Sequence, residues 1–120
     1  LQFLSKQEIV QMRDIIAFEG HTNHFHLSDQ EYGPYLLFKP YEDVMADLLA
    51  SKEKIGATAI AYPFGAYDQR VVDMVQQAGF TMAFTTKKGT VYPGESVFEL
   101  RRQWVYPHIS LRQFERLLQP

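Results

Sequence analysis

The sequence contains no cysteine, carries little net charge and has no long apolar run, and each absence excludes a class of protein. Without cysteine, the chain has neither a disulfide framework nor a thiolate metal site. A net charge of −2 gives no electrostatic reason to expect nucleic acid or an anionic membrane as partner. No apolar run approaches the roughly 18 residues of a membrane-spanning helix, and no signal peptide is recognisable. The 120 residues form one domain at most, and 46% hydrophobic content is ample for a core.

Helix and strand signals alternate along the chain. Ser5 and Glu8 have the spacing of a capping box, and apolar residues follow at helical spacing, which predicts a helix of about three turns. The apolar run at 15–18 predicts a buried strand, and residues 27–39 predict a loop. Three further helices and three further strands are predicted: helices beginning at Pro40, Asp68 and Ser110, the first two of which are stopped by Gly56 and Gly79, and strands over 58–62, 80–85 and 98–106.

This order predicts an α/β fold with a parallel sheet or barrel of about four β/α units, too few to close a barrel of about eight strands. Candidate functional residues follow the predicted strand ends, where active sites of such folds collect: His21, residues 63–65, Thr85 and Tyr106. The agreement among four strands predicts a single site.

Three of the four histidines lie within six residues, in the sequence HTNHFH at 21–26. Neutral imidazole is the commonest nitrogen ligand for zinc and similar ions, and two imidazoles on one loop can define two corners of a metal site. Two alternatives stay open. His21 and His26 could be solvated loop residues, or His24 and His26 could form the His-x-His pair of an amidohydrolase or cupin-like site. We expect His24 to be exposed rather than liganding.

The second motif, YPFG at 62–65, has the form of a tight turn at a strand end, and Pro and Gly punctuate most turns. Taken in order, the motifs resemble the polysaccharide deacetylases, carbohydrate esterases with a NodB-type domain, over nearly all of the chain. The pair His21-Thr22 with His26 matches the family's second motif. YPFG matches the third motif of one branch, and the stretches 77–80 and 100–114 are also similar to the family.

The resemblance implies a partial (β/α) barrel in which residues 1–120 are the C-terminal portion of a single NodB-like domain. It implies a divalent metal held by one Asp and two His, here His21 and His26; we expect zinc, with cobalt, nickel or iron as alternatives. The backbone N–H of Phe64 would be an oxyanion donor. Tyr62, Pro63 and Gly65 would contact the substrate, an N-acetylated polysaccharide at the cell surface or outside the cell. The five-residue spacing of the two histidines resembles the branch acting on poly-N-acetylglucosamine.

Three further residues are assigned less directly. Arg102 belongs to an arginine pair that is ordinarily solvated, but it could orient the catalytic carboxylate. The resemblance implies a late Leu-x-His motif that supplies the general acid; this motif has no clean match here, and His108, the only histidine in the C-terminal half, is the remaining candidate. Trp104, with Phe98, could stack on a sugar or belong to the core.

The sequence departs from the family in one important respect. The family's first motif, an Asp-Asp pair that supplies the metal carboxylate and the catalytic base, has no counterpart here. With Leu1 in place of methionine, this predicts a fragment of a longer enzyme that is inactive alone. The alternative is a non-catalytic remnant that binds metal or carbohydrate.

The same reasoning predicts an incomplete sheet. Alternation along two strands predicts that Ile60, Tyr62, Met82 and Phe84 face the barrel interior. With open strand edges beside them, we expect the chain to pair with its missing N-terminal segment or to self-associate.

Overall fold

A parallel sheet of three strands, in the spatial order Ala59–Ala61, Met82–Lys88 and Leu100–Arg102, forms the centre of the molecule. The computed structural model describes residues 4–119. Its helices and strands are, in chain order, α1 (Lys6–Met12), β1 (Ser28–Asp29), β2 (Gly33–Pro34), α2 (Tyr35–Phe38), α3 (Tyr41–Ile55), β3 (Ala59–Ala61), α4 (Gln69–Gln77), β4 (Met82–Lys88), β5 (Leu100–Arg102) and α5 (Leu111–Leu117). The predicted α/β class with an incomplete parallel sheet is confirmed, and the described strands close no barrel.

The core lies on one face of this sheet, where α3 and α4 pack. Val44 and Leu48 of α3 meet Val71 and Val75 of α4 above the strands, and all four side chains are fully buried. Helix α3 ends at Gly56, whose φ of 68° lies in the left-handed region that glycine adopts without a steric penalty. Both central helices and their stop signals are therefore as the sequence predicts.

The predicted buried strand at residues 15–18 is wrong. A turn follows α1, and Ile15 is left 82% exposed. Among the described residues of this segment, only Gly20 forms a backbone bridge to β3: its N–H donates to the Ala59 carbonyl at 2.9 Å, and its carbonyl accepts from the Ala61 N–H at 2.8 Å. The apolar run lies before this single bridge, so within residues 4–119 it has neither a ladder nor a packing layer to hold it as a strand.

The predicted sharing of one sheet face by four side chains is also wrong. Ile60 pairs with Ala83, and Ala61 pairs with Phe84, so the side chains of Met82 and Phe84 lie on the face opposite Ile60. Ile60 and Tyr62 are fully buried on the helix-covered face. Alternation within a strand gives its two faces but does not fix its register against a neighbour, and a shift of one residue exchanges the faces.

Smaller differences concern the connections and the ends. Residues 27–39 are not an irregular loop; they contain the short antiparallel hairpin β1–β2 and the single-turn helix α2. Helix α1 has the predicted capping box but spans two turns instead of three, and neither α1 nor α5 buries a side chain. Among residues 4–119, no helix combines the length and apolarity needed to cross a bilayer.

Candidate active site

His21 follows the bridging residue Gly20 and lies beside the end of β3. Its Nδ1 is 2.7 Å from the carbonyl oxygen of Ala61. Because a carbonyl only accepts, Nδ1 carries the hydrogen, and in the neutral ring Nε2 then holds the free lone pair. Metal-binding histidines commonly donate their second ring N–H to a backbone carbonyl in this way. The hydrogen bond therefore presets the tautomer and orientation that a metal ligand requires.

His26 approaches His21 from the far end of the same loop. The ring centroids are 4.6 Å apart, and the planes are inclined at 75°. The ring of Phe64 lies against the other side of His26, at 4.5 Å between centroids. The structure thus brings together three residues that the sequence predicts for one site, although they come from two motifs about forty residues apart.

The environment of His21 favours its neutral form. Burial lowers the pKa of its imidazole, and the electrostatic effects of the neighbouring Arg102 guanidinium and His26 ring lower this pKa further. The hydrogen bond to the Ala61 carbonyl opposes these effects, but the net direction is downward. A histidine that stays neutral near pH 7 keeps its lone pair available for a metal ion.

Asp47, which the sequence analysis did not identify, holds the histidine loop in place. This buried side chain of α3 accepts two backbone hydrogen bonds, from the Asn23 N–H at 2.8 Å and from the His24 N–H at 2.6 Å. The histidines are thereby attached to a rigid helix. A signal was present in the sequence, because Asp47 is a carboxylate on the helix face that Val44 and Leu48 define as apolar.

Backbone strain occurs at two non-glycine residues in this region, Thr22 with φ 70° and Phe64 with φ 58°. The Thr22 hydroxyl oxygen is also buried without a hydrogen-bond partner in the described part of the chain. Such conformations cost about 1–3 kcal/mol each and are concentrated at functional sites. His24, between them in sequence, is exposed as predicted, with its N–H bound to Asp47.

The turn Pro63–Gly65 presents Phe64 to solvent at the end of β3. The Gly65 N–H donates to the Tyr62 carbonyl at 3.0 Å, whereas the Phe64 N–H has no acceptor within residues 4–119. Gly65 has φ 67°, and a Cβ atom there would lie 2.2 Å from Oγ1 of Thr86. Only glycine permits this close packing against β4, which leaves the preceding N–H free to donate to a ligand.

Tyr62 and Pro63 are predicted to contact the substrate, but both side chains are buried, so they offer no surface to a ligand in this structure. The Tyr62 hydroxyl donates to the Phe98 carbonyl at 2.9 Å, and its ring stacks on Tyr67 at 4.6 Å. Burial raises the pKa of the Tyr62 hydroxyl well above its usual range. Tyr62 therefore anchors the turn from below, and Gly65 and Phe64 are the parts of the motif nearer solvent.

The remaining predicted residues divide into two groups. Arg102, at the end of β5, donates from Nε to the Thr85 carbonyl at 2.8 Å, and its charge acts on His21, so it lies at the same end of the sheet. Its role in orienting a carboxylate stays a prediction. Trp104 and His108 line a different cleft against α5, whereas His21 lines a pocket beside α3.

The donor set fits two corners of a metal site. Within residues 4–119 no group of three or more His, Asp or Glu side chains is placed to hold an ion. The Asp47 carboxylate is already occupied by two backbone N–H groups. Within residues 4–119, His21 and His26 thus offer at most two nitrogen donors, so that they bind a metal stays a prediction and a complete site would need further ligands.

No protein-family model matches the chain, and no curated protein sequence matches it. Solved structures do match. IcaB from Ammonifex degensii superimposes with a TM-score of 0.73 at 23% identity, covering 92% of this chain and 51% of that one. PplD, a deacetylase from Streptococcus pyogenes in complex with acetate, gives 0.75 at 20% identity, covering 98% of this chain and 51% of that one.

A polysaccharide deacetylase from Bacillus cereus matches at 29% identity with a TM-score of 0.69, covering 97% of this chain and 37% of that one. The chain thus spans about half the length, or less, of the structures it matches. Nearly all of its length is used in these superpositions. The chain has the fold of part of a polysaccharide deacetylase domain, which confirms the resemblance predicted from its motifs.

Proposed function

We propose that this chain provides the histidine ligands and an oxyanion donor of a metal-dependent hydrolase. The substrate we propose is an N-acetylglucosamine polymer at the cell surface or outside the cell, from which N-acetyl groups are removed. The similar proteins that are described as deacetylases, one of them holding acetate, support this reaction. The five-residue spacing between His21 and His26 supports the polymer, because it resembles the poly-N-acetylglucosamine branch.

The observation that carries the proposal is the preset pair of imidazoles. Nδ1 of His21 is fixed by the Ala61 carbonyl, and the His26 ring lies 4.6 Å away, between His21 and Phe64. His26 is exposed, but two unconstrained loop histidines would have no reason to combine a part-buried hydrogen bond at His21, a contact between the two rings and a loop held by a buried carboxylate.

A divalent metal, which we expect to be zinc, would polarise the amide carbonyl and lower the pKa of a bound water toward about 7. His21 and His26 would hold it. The Phe64 N–H donates to the oxygen that becomes negative during attack, a contact worth about 3–4 kcal/mol in comparable sites. Arg102, fixed on the Thr85 carbonyl, adds positive charge at this end of the sheet. Because the chain lacks the Asp-Asp motif, we propose that it does not turn over substrate alone.

Zinc titration calorimetry tests the ligand assignment. We expect weak binding by the wild-type chain and its loss in His21→Ala and in His26→Ala. His24→Ala is the matched control, since it removes an exposed imidazole from the same loop, and it should retain the wild-type affinity. If His24→Ala abolishes binding and His21→Ala does not, the ligands are the His-x-His pair and the assignment is wrong.

Acetate release from an N-acetylglucosamine oligomer tests the reaction. The purified chain should release none above background, and mixing it with a segment that carries an Asp-Asp motif from the same fold should restore turnover. Rapid release by the chain alone would contradict the proposal. Zinc binding without turnover in the mixture would favour a metal-binding remnant without catalysis.

A further inference from the structure

A second cleft lies between the segment after β5 and the last helix. It encloses about 450 Å³ and is separate from the pocket that His21 lines. Trp104 and Tyr106 come from the segment, and Arg116 comes from α5. Two of its residues, Trp104 and His108, are predicted from the sequence to serve the deacetylation, but both line this cleft and not the pocket that His21 lines.

The charge lining the cleft is of one sign. Lys88 at the end of β4 and Arg116 on α5 contribute two cations, His108 contributes an imidazole, and none of the lining residues is acidic. Neighbouring Lys87 and Arg101 make ion pairs with glutamates, at 3.7 and 3.2 Å. Within residues 4–119, Lys88 and Arg116 make none. Since the whole chain has a net charge of −2, this positive charge is a local feature.

The wall of the cleft is aromatic and accessible. Trp104 is 43% exposed and Tyr106 is 60% exposed. Their ring centroids lie 6.0 Å apart with planes inclined at 36°, so two neighbouring aromatic rings line the cleft. Exposed aromatic faces beside a few directed polar groups are typical of small-ligand sites. The C–H face of a pyranose ring is a suitable partner for such a surface.

We infer that this cleft binds an acidic saccharide. The aromatic pair accepts the sugar ring, and Lys88 and Arg116 bind the carboxylate or phosphate that the sugar carries. Guanidinium and ammonium groups form short, charge-assisted hydrogen bonds with either anion. A neutral N-acetylglucosamine unit would leave both cations without a partner. The site therefore has a selectivity different from that of the proposed deacetylase substrate, and it does not depend on metal.

Intrinsic fluorescence measures this binding directly, because Trp104 is the single tryptophan of the chain. The 120-residue chain, without metal, is titrated with a glucuronic-acid disaccharide, glucose 6-phosphate, a neutral N-acetylglucosamine disaccharide and inorganic phosphate. We expect saturable changes with an acidic sugar, weakening as salt is raised. The stronger of the two acidic sugars identifies the anion as carboxylate or phosphate. Equal binding of the neutral disaccharide, or equal binding of phosphate without a sugar, would overturn the inference.

Matched variants locate the site. Arg116→Gln and Lys88→Gln should each weaken the binding of the acidic sugar by about fivefold to tenfold. Arg112→Gln, on the same helix but outside the cleft, makes the same change of charge and should leave the affinity unaltered. Tyr106→Ala should weaken binding while Trp104 still reports it, and circular dichroism checks that α5 persists. An equal loss in Arg112→Gln would mean that only overall charge matters, and the cleft assignment would be rejected.

Discussion

The terminal helices and the central helices are stabilised in different ways. Helices α1 and α5 both have complete capping boxes, at Ser5 and Ser110, yet neither buries a side chain. Helix α3 begins at Pro40 without a side-chain cap and buries four residues. A cap contributes about 1 kcal/mol, whereas each buried aliphatic side chain contributes about 1.5–3 kcal/mol. The strongest local helix signals in this chain therefore accompany its weakest tertiary packing.

The candidate site is held by the packed centre of the molecule and not by the terminal helices. A seven-residue helix is marginal in water by itself, so α1 and α5 should open locally without unfolding the sheet. The histidine loop and the turn Pro63–Gly65 are attached instead to α3, β3 and β4, the densely packed part. The site therefore belongs to the most stable unit of the described structure, while the acidic-saccharide cleft depends on the less stable end that contains α5.

A large-to-small substitution in each region gives the largest expected difference. Leu48→Ala, in the fully buried part of α3, should lower the free energy of unfolding by about 3 kcal/mol because it leaves a cavity. Leu111 lies at the start of α5 with 73% of its surface exposed, so Leu111→Ala should change the free energy of unfolding by no more than about 0.5 kcal/mol. Urea denaturation measures both. Equal losses would show that α5 is packed against the rest of the chain in solution.

Asp47→Asn tests whether the site belongs to the packed centre. The amide keeps one acceptor oxygen and directs its NH₂ group toward a backbone donor, so we expect a loss of about 2 kcal/mol in stability. Amide hydrogen exchange at Asn23 and His24 should become faster. Asp43→Asn, exposed in the first turn of the same helix, is the matched control and should cost at most about 0.5 kcal/mol. Unchanged exchange at His24 would contradict the anchoring role of Asp47.

Removing helix caps sharpens the comparison further. Asp68 accepts from the Val71 N–H at 2.8 Å and begins α4, which is packed in the core, so Asp68→Ala should destabilise the whole chain by about 1 kcal/mol. Ser110→Ala removes an equivalent cap from α5 and should lower helix content without moving the urea midpoint. A shift of the midpoint by Ser110→Ala would mean that α5 unfolds together with the sheet.

The smallest expected effect concerns pH. Burial lowers the pKa of folded His21 below its unfolded value of about 6.5, so the unfolded chain takes up this proton first as pH falls. The stability contributed by neutral His21 is fully present above about pH 6.5 and decreases as the pH drops below it. Urea midpoints of wild type and His21→Gln, measured from neutral to mildly acidic pH, should converge. If the urea midpoints of the two proteins instead changed in parallel with pH, the lowered pKa of His21 would be contradicted.

The sequence predicts the α/β class with its incomplete parallel sheet and the proximity of three candidate residues, but not the details of strand pairing. His21, His26 and Phe64 are identifiable because each motif has recognisable residue types at fixed spacing, even though the strand predicted before the histidines is wrong. Asp47 is not identified from the sequence because its role is a tertiary contact with two backbone N–H groups some twenty residues away. Nothing adjacent to Asp47 in the sequence specifies that partner, although a carboxylate on an apolar helix face indicates that a partner exists.

The errors in the sheet have a common origin. Apolar residues at 15–18 satisfy the pattern of a strand, but a strand also needs a neighbour along its length. On the edge of β3 that faces this segment, the backbone pairing is limited to Gly20. The faces of Met82 and Phe84 depend on the register of β4 against β3, which pairing decides and alternation does not. Helix boundaries at Gly56 and Asp68 are local signals, and for that reason they are predicted correctly.

The contact between Gly65 and Thr86 also has a consequence for the order of folding. The turn at residues 63–65 precedes its packing partner on β4 by about twenty residues and has a strained backbone at Phe64. The only local hydrogen bonds of the turn among the described residues, from the Gly65 N–H to Tyr62 and from the Ala66 N–H to Pro63, are those of a single 3₁₀ turn, which is marginal by itself. We therefore expect the free Phe64 N–H to adopt its orientation late, in the same step that docks β4 onto β3. The oxyanion donor would then be a product of sheet assembly, absent from any intermediate in which only the helices have formed.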